Sequence, residues 1–290
     1  MIQQLVFYFL SDPINGRVVD SEYQEEYLAA SNFFEVALIN QEQLFEEQKI
    51  VTNRLSKKNE LAVYRGWMLS VEQYSLFVDY IERTQGHVLT SVNEYCTTHL
   101  VPGWAKDSPE QLKIRWTEDL SSEGIQQLLQ QFSGAVTIKD FVKSRKFEWD
   151  AFYIADTSKL SEAAVVIQNF IHRQGSNLVG GLVMREFIEL KEIGKHPKSN
   201  TRLFEEYRIF YWRGQPLVVI DYWNNGVVNL TTADYQYIQT IGKEIHSSFF
   251  TIDVARKIDG QLIIMEMGDG QVSGLQEFDA VEFYHRLSEL

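Results

Sequence analysis

The chain has 290 residues, with 27 Lys and Arg against 40 Asp and Glu, which gives a formal net charge of −13. This acidic balance argues against a nucleic-acid backbone as the main partner, because phosphate binding needs a basic face. The sequence has no run of 18 apolar residues and only one cysteine, so we expect no transmembrane helix, no internal disulfide and a cytoplasmic location.

The N-terminal part alternates apolar runs with polar, helix-forming stretches. Residues 5–10, 34–39 and 61–64 each read as a buried strand. This alternation predicts an α/β layer with parallel strands. Arg65-Gly66-Trp67-Met68 follows the third strand, and ligands of open α/β sheets bind beyond the carboxyl ends of strands. Arg65 is therefore a candidate anion contact, and a solvent-facing loop arginine is the equal alternative.

Two capping boxes, Ser70–Gln73 and Ser91–Glu94, each predict the start of a helix. A further helix start is predicted at Asp107–Glu110, where proline occupies the first turn. We place a domain boundary near residue 105. The sequence thus predicts a small N-terminal α/β domain over residues 1–105 and a second domain over residues 106–290.

A basic loop follows the predicted strand at residues 135–139. With Lys139 included, the segment to Lys146 carries four cations in eight residues. A charge run is usually a solvated face. Here, however, the run lies before another predicted strand at residues 151–154, where a tight loop can cover a phosphate chain. The loop is not a Walker A motif, since it lacks the required glycines.

The next stretches alternate strand and loop signals. Residues 182–190 predict a strand, and the polar segment 192–201 predicts a mobile loop. Residues 206–212 and 216–222 predict a hairpin. Period-two alternation places Arg208 on the more polar face of that hairpin.

A second hairpin is predicted around Asp259-Gly260, which is a strong signal for a two-residue turn. Such a turn places Asp253 directly opposite Glu266, with the Cβ atoms roughly 4.5–5.5 Å apart. Two opposed carboxylates on one face need a cation between them, and Mg²⁺ is the usual choice beside phosphates. The alternative is that both acids simply face water.

Taken in order, these features resemble the ATP-grasp superfamily, especially the branch with the ribosomal-protein glutamate ligases. The resemblance covers about residues 105–290 and fits a small α/β domain in front. It implies two α+β subdomains that grip a nucleotide, with a hinge near residues 186–190. The resemblance rests on these segments: Ile138-Lys139, Glu186-Phe187-Ile188, Glu206-Tyr207-Arg208-Ile209, Asp253 and Glu266-Met267-Gly268.

The resemblance also implies roles for individual residues. Lys139 would touch the nucleotide phosphates, and Arg208 would face the transferred phosphate, so both are candidate catalytic residues. The remaining candidate nucleotide contacts are Lys143, Ser144, Lys146, Glu186, Phe187, Ile188, Glu189 and Glu206.

The implied Mg²⁺ ligands are Asp253 and Glu266, which agrees with the cross-strand argument. The family commonly has Glu-x-Asn at its last ligands, whereas this chain has Gly268 at the third position. Asp269, one residue further on, is the candidate replacement.

The expected function is ATP-dependent ligation of a carboxylate to an amine, through an acylphosphate and with release of ADP. The expected substrate is an amino acid, a peptide or a small acid, and the expected cofactors are ATP and Mg²⁺. A small-molecule kinase and a non-catalytic nucleotide-binding module remain the alternatives. We expect a homodimer, the commonest assembly, with neither nucleic acid nor membrane as partner.

Overall fold

A computed structural model describes residues 4–105, 112–195, 202–223 and 228–290. The chain forms two compact units. The first comprises Met1–Thr98, Glu206–Asp253 and Glu266–Leu290, and the second His99–Glu205 and Val254–Met265. Within the described ranges, no helix is long and apolar enough to cross a membrane. The predicted helix start at Asp107–Glu110 lies outside these ranges, and the domain boundary near residue 105 stays a prediction.

The first unit contains a four-stranded parallel sheet, as predicted. Its strands have the order β2-β1-β3-β4. They are β1 (Leu5–Leu10), β2 (Glu35–Ile39), β3 (Leu61–Arg65) and β4 (His87–Val88). The helices that follow them are α1 (Gln24–Ser31), α2 (Gln41–Glu47), α3 (Val71–Arg83) and α4 (Val92–His99).

Both faces of this sheet are buried, which explains the continuous apolar run of β1. Phe7 and Phe9 belong to a core on one face, and Val6 and Tyr8 belong to a core on the other. Parallel sheets covered on both faces typically have such uninterrupted apolar strands. The predicted capping box of α3 is present, since the Ser70 hydroxyl accepts from the Gln73 N–H and the Gln73 side chain accepts from the Ser70 N–H.

The second unit is built on an antiparallel sheet with the order β5-β8-β6-β7. A core on one face of the sheet includes Phe132, Ile138, Ile167, Phe170 and Met184. The elements of this unit up to the end of the sheet are α5 (Val101–Trp104), β5 (Ile114–Thr117), α6 (Ser122–Leu129), β6 (Val136–Lys139), β7 (Tyr153–Ile154), α7 (Leu160–Gln174) and β8 (Leu182–Glu186).

The polar segment after β8 corrects one prediction. Strand β9 (Glu192–Lys195) pairs antiparallel with β10 (Arg202–Phe204), although the whole segment 192–201 was predicted as a mobile loop. For residues 192–195 that prediction was wrong. Their side chains are all exposed, so the backbone pairs without an apolar signal in the sequence.

The C-terminal sheet has the order β12-β11-β13-β14. The predicted hairpin is formed by β11 and β12, joined by Arg213 and Gly214, and Trp212 faces Gln215 across the turn. The C-terminal elements are β11 (Glu206–Trp212), β12 (Gln215–Asp221), α8 (Thr232–Glu244), β13 (Phe249–Arg256), β14 (Leu262–Asp269) and α9 (Ala280–Ser288).

The turn between β13 and β14 differs from the prediction. The Lys257 N–H donates to the Gln261 carbonyl at 2.9 Å, and the Gly260 N–H donates to the Lys257 carbonyl at 3.0 Å. Gly260 has φ of +90°. These bonds define a three-residue loop with a glycine bulge, so the two-residue turn was the wrong premise. The turn alone therefore does not place Asp253 opposite Glu266.

Candidate active site

In the first unit, the predicted catalytic arginine and one predicted metal ligand contact each other. Arg208 on β11 donates from Nε to Asp253 Oδ1 at 2.8 Å and from Nη2 to Oδ2 at 2.7 Å. Both side chains are 13 % exposed. The third guanidinium nitrogen, Nη1, donates to the Gly274 carbonyl at 3.1 Å, and the Tyr222 ring centroid lies 5.3 Å from the guanidinium carbon. Arg208 is thus held in one orientation by charge and geometry.

Glu266 belongs to the same electrostatic group. It is half-buried on β14. Burial alone lowers the pKa of Arg208, but the charges of Asp253, Tyr222 and Glu266 outweigh burial and raise that pKa. The structure therefore brings Arg208, Asp253 and Glu266 together, and two carboxylates around one cation offer the oxygen ligands that Mg²⁺ prefers.

Asp269 does not join this group. It is fully buried, and its carboxylate accepts from the Gln271 N–H at 2.9 Å and from the Thr98 hydroxyl at 3.3 Å. Because strand side chains alternate, Asp269 points to the opposite face of β14 from Glu266. Burial, against the hydrogen bonds from Gln271 and Thr98, raises the pKa of Asp269 to about 7. These contacts give Asp269 a structural role in the core.

The structure also explains why glycine occupies position 268. A Cβ atom there would lie 2.9 Å from the hydroxyl oxygens of both Thr251 and Ser273. Those two hydroxyls hydrogen-bond each other at 2.8 Å. The space that an asparagine side chain would need is therefore filled. Among the described residues, no group of three or more His, Cys, Asp and Glu side chains is placed to hold a metal ion.

Arg65 is neither an anion contact nor a solvent-facing arginine, so both sequence alternatives were wrong. It is fully buried and forms a bidentate ion pair with Glu26, at 2.7 and 2.9 Å. Its Nη1 donates to the carbonyls of Gly270, Gln271 and Ser273. Arg65 thereby fastens the glycine-rich segment after β14 to the end of β3.

In the second unit, Lys139 ends β6 and is 7 % exposed. Residues Lys143, Ser144 and Lys146 of the following loop are exposed. The buried imidazole of His99 senses this charge, because burial first and then Lys139 and Lys143 lower its pKa to about 4. The basic side chains of this loop are therefore grouped at one place in the unit.

The loop conformation is fixed by a buried aspartate that the sequence did not reveal. Asp140 is fully buried, and its Oδ1 accepts from the N–H groups of Val142 at 2.7 Å and Lys143 at 2.5 Å. Its Oδ2 accepts from the Gln174 amide at 2.7 Å. Arg145 donates to Glu148 at 2.6 Å and is thus an anchor. The two exposed lysines, Lys143 and Lys146, are the side chains that the loop presents outward.

The predicted adenine-binding segment lies at the end of β8. Glu186, Phe187 and Glu189 are exposed and Ile188 is half-buried. The N–H of Glu186 donates to the Lys113 carbonyl at 2.9 Å, and that of Phe187 donates to the Ala135 carbonyl at 3.0 Å. These two amides are used within the unit, so this segment would offer other groups to a base.

Glu206 begins β11 and is half-buried, two residues from Arg208 on the same strand face. The neighbouring acid, Glu205, was missed. It is 2 % exposed and accepts from Arg256 Nε at 2.5 Å and from Lys191 Nζ at 2.8 Å. Burial raises its pKa, but the bonds from Lys191 and Arg256 outweigh burial and lower it. This ion pair ties the strand segments of the second unit together.

Comparison with solved structures supports the fold. The RimK domain protein ATP-grasp from Sphaerobacter thermophilus aligns with a TM-score of 0.59, 11% identity and 98% coverage of both chains. D-cycloserine synthetase DcsG aligns with a TM-score of 0.54 and 13% identity, covering 98% of this chain and 99% of the other. ATP-grasp ligase PsnB, complexed with a phosphomimetic variant of its minimal precursor, Mg and ADP, aligns with a TM-score of 0.56 and 10% identity. That alignment covers 99% of this chain and 98% of PsnB. All three likenesses show the fold alone.

No curated protein matched the chain. A family model described as an ATP-grasp domain, the third family of its clade, matches residues 127–287, which is more than half of the chain. The match includes the basic loop, the β11 arginine and the β13–β14 acids. The chain therefore belongs to the ATP-grasp family.

Proposed function

We propose that the protein is an ATP-dependent ligase that joins a carboxylate to an amine and releases ADP and phosphate. The observation that carries this proposal is the group formed by Arg208, Asp253 and Glu266 in a member of the ATP-grasp family. The similar folds of DcsG, a synthetase, and PsnB, a ligase, support the reaction class.

The proposed reaction has two displacements. A carboxylate oxygen of the substrate attacks the γ-phosphorus of ATP, the bond to the bridging oxygen breaks, and an acylphosphate and ADP form. The amine nitrogen then attacks the acyl carbon, phosphate leaves with the C–O bond electrons, and the amine loses a proton. Both steps depend on alignment and charge neutralisation more than on a protein nucleophile.

In the first unit, Asp253 and Glu266 are the residues that would hold Mg²⁺, and the ion would neutralise charge on phosphate oxygens when bound. Each Asp253 oxygen uses one lone pair for Arg208 and keeps another, so the ion pair and a metal bond are compatible. Arg208, held by that pair, is positioned to stabilise negative charge that develops during transfer. Asp269 is left out of this proposal because its carboxylate is bonded within the core.

In the second unit, we propose that Lys139 and the outward-facing Lys143 and Lys146 contact the triphosphate. Ser144, exposed in the same loop, is a further hydrogen-bond donor for a phosphate oxygen. The loop is preorganised by Asp140, so its lysines need little ordering when the nucleotide binds. Segment 186–189 remains the proposed base contact.

The acid substrate is proposed to be an amino acid, a peptide or another small carboxylate, as the relatives' substrates suggest. The test is ADP formation with a panel of such acids in the presence of hydroxylamine, which traps an acylphosphate as a hydroxamate. A ligase gives hydroxamate and ADP in equal amounts with at least one acid. Phosphorylated acceptor without hydroxamate would instead identify a small-molecule kinase.

A non-catalytic nucleotide-binding module is the second candidate, and one observation favours it. Within the ranges that the structure describes, the acids on β13 and β14 supply two carboxylates rather than a group of three. Mg²⁺ can be held by one or two carboxylates with water and phosphate oxygens, so two suffice for an enzyme. ATP binding by calorimetry, without ADP formation on any panel member, would support the binding module over the ligase.

A further inference from the structure

The first unit contains a second polar cavity, away from the acids of the candidate active site. It is an open cavity of about 550 Å³. Its walls come from the start of α4, the β11–β12 turn and the connection between α8 and β13. The turn residue Arg213 lies five positions beyond Arg208 on the same strand, which is roughly 16 Å along the chain direction. The cavity is therefore a separate place on the sheet.

Two cationic side chains line this cavity. Arg213 and Lys243 are both exposed, and neither forms an ion pair with any residue in the described parts of the chain. His246 lies on the same wall. In a chain with a net charge of −13, two cations without acidic partners on one concave surface leave a local excess of positive charge.

One acid also lines the cavity, but its oxygens are already engaged. Glu94 Oε1 accepts from the Ser248 hydroxyl at 2.9 Å, and Oε2 accepts from the Ser91 N–H at 2.7 Å as part of the capping box of α4. Glu94 therefore serves the backbone and a neighbouring hydroxyl. It forms no ion pair with either lining cation among the described residues.

A buried hydroxyl supplies an independent observation. Ser247 lines the cavity and is 9/10 or more buried, at 7 % exposure. Within the described structure, its Oγ has no hydrogen-bond partner. Leaving a buried polar group unsatisfied costs roughly 1–3 kcal/mol, so such groups mark places where a ligand or water completes the bond.

Arg213 is fixed at its base by the turn. Arg213 and Gly214 have φ of +48° and +76°, as a type I′ turn requires, and the Arg213 N–H donates to the Ser248 carbonyl at 2.8 Å. The guanidinium therefore extends from a rigid backbone beside the serines. Arg, Lys and hydroxyl donors around one cavity match the acceptor oxygens of a phosphate group.

We propose that this cavity binds a small molecule through its phosphate group. Arg213 and Lys243 supply the charge, and Ser247 donates its otherwise unused hydroxyl. The site goes beyond the proposed ligase reaction and does not depend on it, because none of its residues belongs to the candidate active site.

The test is calorimetric titration of the full chain with pyrophosphate in low-salt buffer without Mg²⁺. Arg213→Asn removes the charge but keeps a favourable turn, since Asn-Gly is preferred at type I′ positions. We expect Arg213→Asn and Lys243→Ala each to weaken binding by about tenfold. Arg83→Ala, which removes an exposed cation at the end of α3, is the matched control and should not change the affinity.

Two further measurements locate the site and define its chemistry. Lys143→Ala, in the basic loop, should leave this binding unchanged, and the amide signals of Gly214 and Ser248 should shift on titration. Succinate, a dicarboxylate, should bind at least about tenfold more weakly than pyrophosphate. Unchanged binding in Arg213→Asn and Lys243→Ala, an equal loss in Arg83→Ala, or equal binding of succinate would each overturn the proposal.

Discussion

Arg208 and Asp253 lie on adjacent strands and share two hydrogen bonds, at 2.8 and 2.7 Å, in a pair of which each side chain is 13 % exposed. The arginine is proposed to stabilise transferred phosphate, and the aspartate is proposed to hold Mg²⁺. Their direct contact means that substitution of one changes the orientation and the charge balance of the other.

The first prediction is that Arg208 and Asp253 are strongly coupled in stability. Arg208→Ala leaves Asp253 partly buried without its partner, so we expect the free energy of unfolding to fall by about 3 kcal/mol. The double variant with Asp253→Asn should lose less than the sum of the two single variants. Urea unfolding of the four proteins measures the coupling, and additive losses would contradict it.

The second prediction concerns the glycine that replaces the usual asparagine. Gly268→Asn should not create a third metal ligand, because its Cβ would lie 2.9 Å from the hydroxyls of Thr251 and Ser273. We expect a loss of about 1–3 kcal/mol in the free energy of unfolding, as for other overpacked positions. Gly274→Ala, with no atom within 4 Å of the added Cβ, is the control. Tighter Mg²⁺ binding by Gly268→Asn would show that the space is available.

Local sequence signals predicted most elements correctly, for identifiable reasons. The capping boxes at Ser70 and Ser91 are made by neighbouring residues, so four positions determine the helix start. The apolar run of β1 reflects burial on both faces of the sheet. Such features depend on short segments and survive without knowledge of the tertiary structure.

The misses depend on contacts between distant segments. Arg65 bonds to Glu26 and to carbonyls of residues 270–273, which no pattern around β3 indicates. Strand β9 is polar throughout and gives no period-two signal. The group of Arg208 with Asp253 was anticipated from the family resemblance as separate roles, whereas the ion pair itself appears only in three dimensions.

The third prediction is a pH effect from Asp269, whose pKa is raised to about 7 by burial. An unfolded aspartate titrates near pH ~4. Between these values the folded state binds more protons, so the wild-type stability falls as pH rises through this window and levels off above about pH 7.

Asp269→Asn removes this titration and can keep the acceptor for the Gln271 N–H. We therefore expect the stability of the variant, relative to wild type, to increase from pH 5 to pH 8. Urea unfolding of both proteins at the two pH values tests this. A difference that does not depend on pH would show that Asp269 titrates normally.

The fourth prediction is that Arg65 acts in stability and not in anion binding. Arg65→Met leaves Glu26 unpaired and three carbonyls without their donor, so we expect a loss of at least about 3 kcal/mol. Arg83→Met, at an exposed helix end, should change stability by less than about 0.5 kcal/mol. Chemical denaturation compares the two, and equal stability of Arg65→Met and wild type would contradict the structural role.

The most direct test of the central claim is Mg²⁺-dependent ATP turnover in Glu266→Gln, with an accepted acid substrate and with Glu25→Gln as the control. Glu25 is an exposed acid on α1, so its variant should match wild type. If Asp253 and Glu266 hold the ion, Glu266→Gln should lower the rate of ADP formation by at least about a hundredfold while its unfolding midpoint stays within a few degrees of wild type. ADP formation by Glu266→Gln at the wild-type rate, with the same Mg²⁺ dependence, would contradict the account.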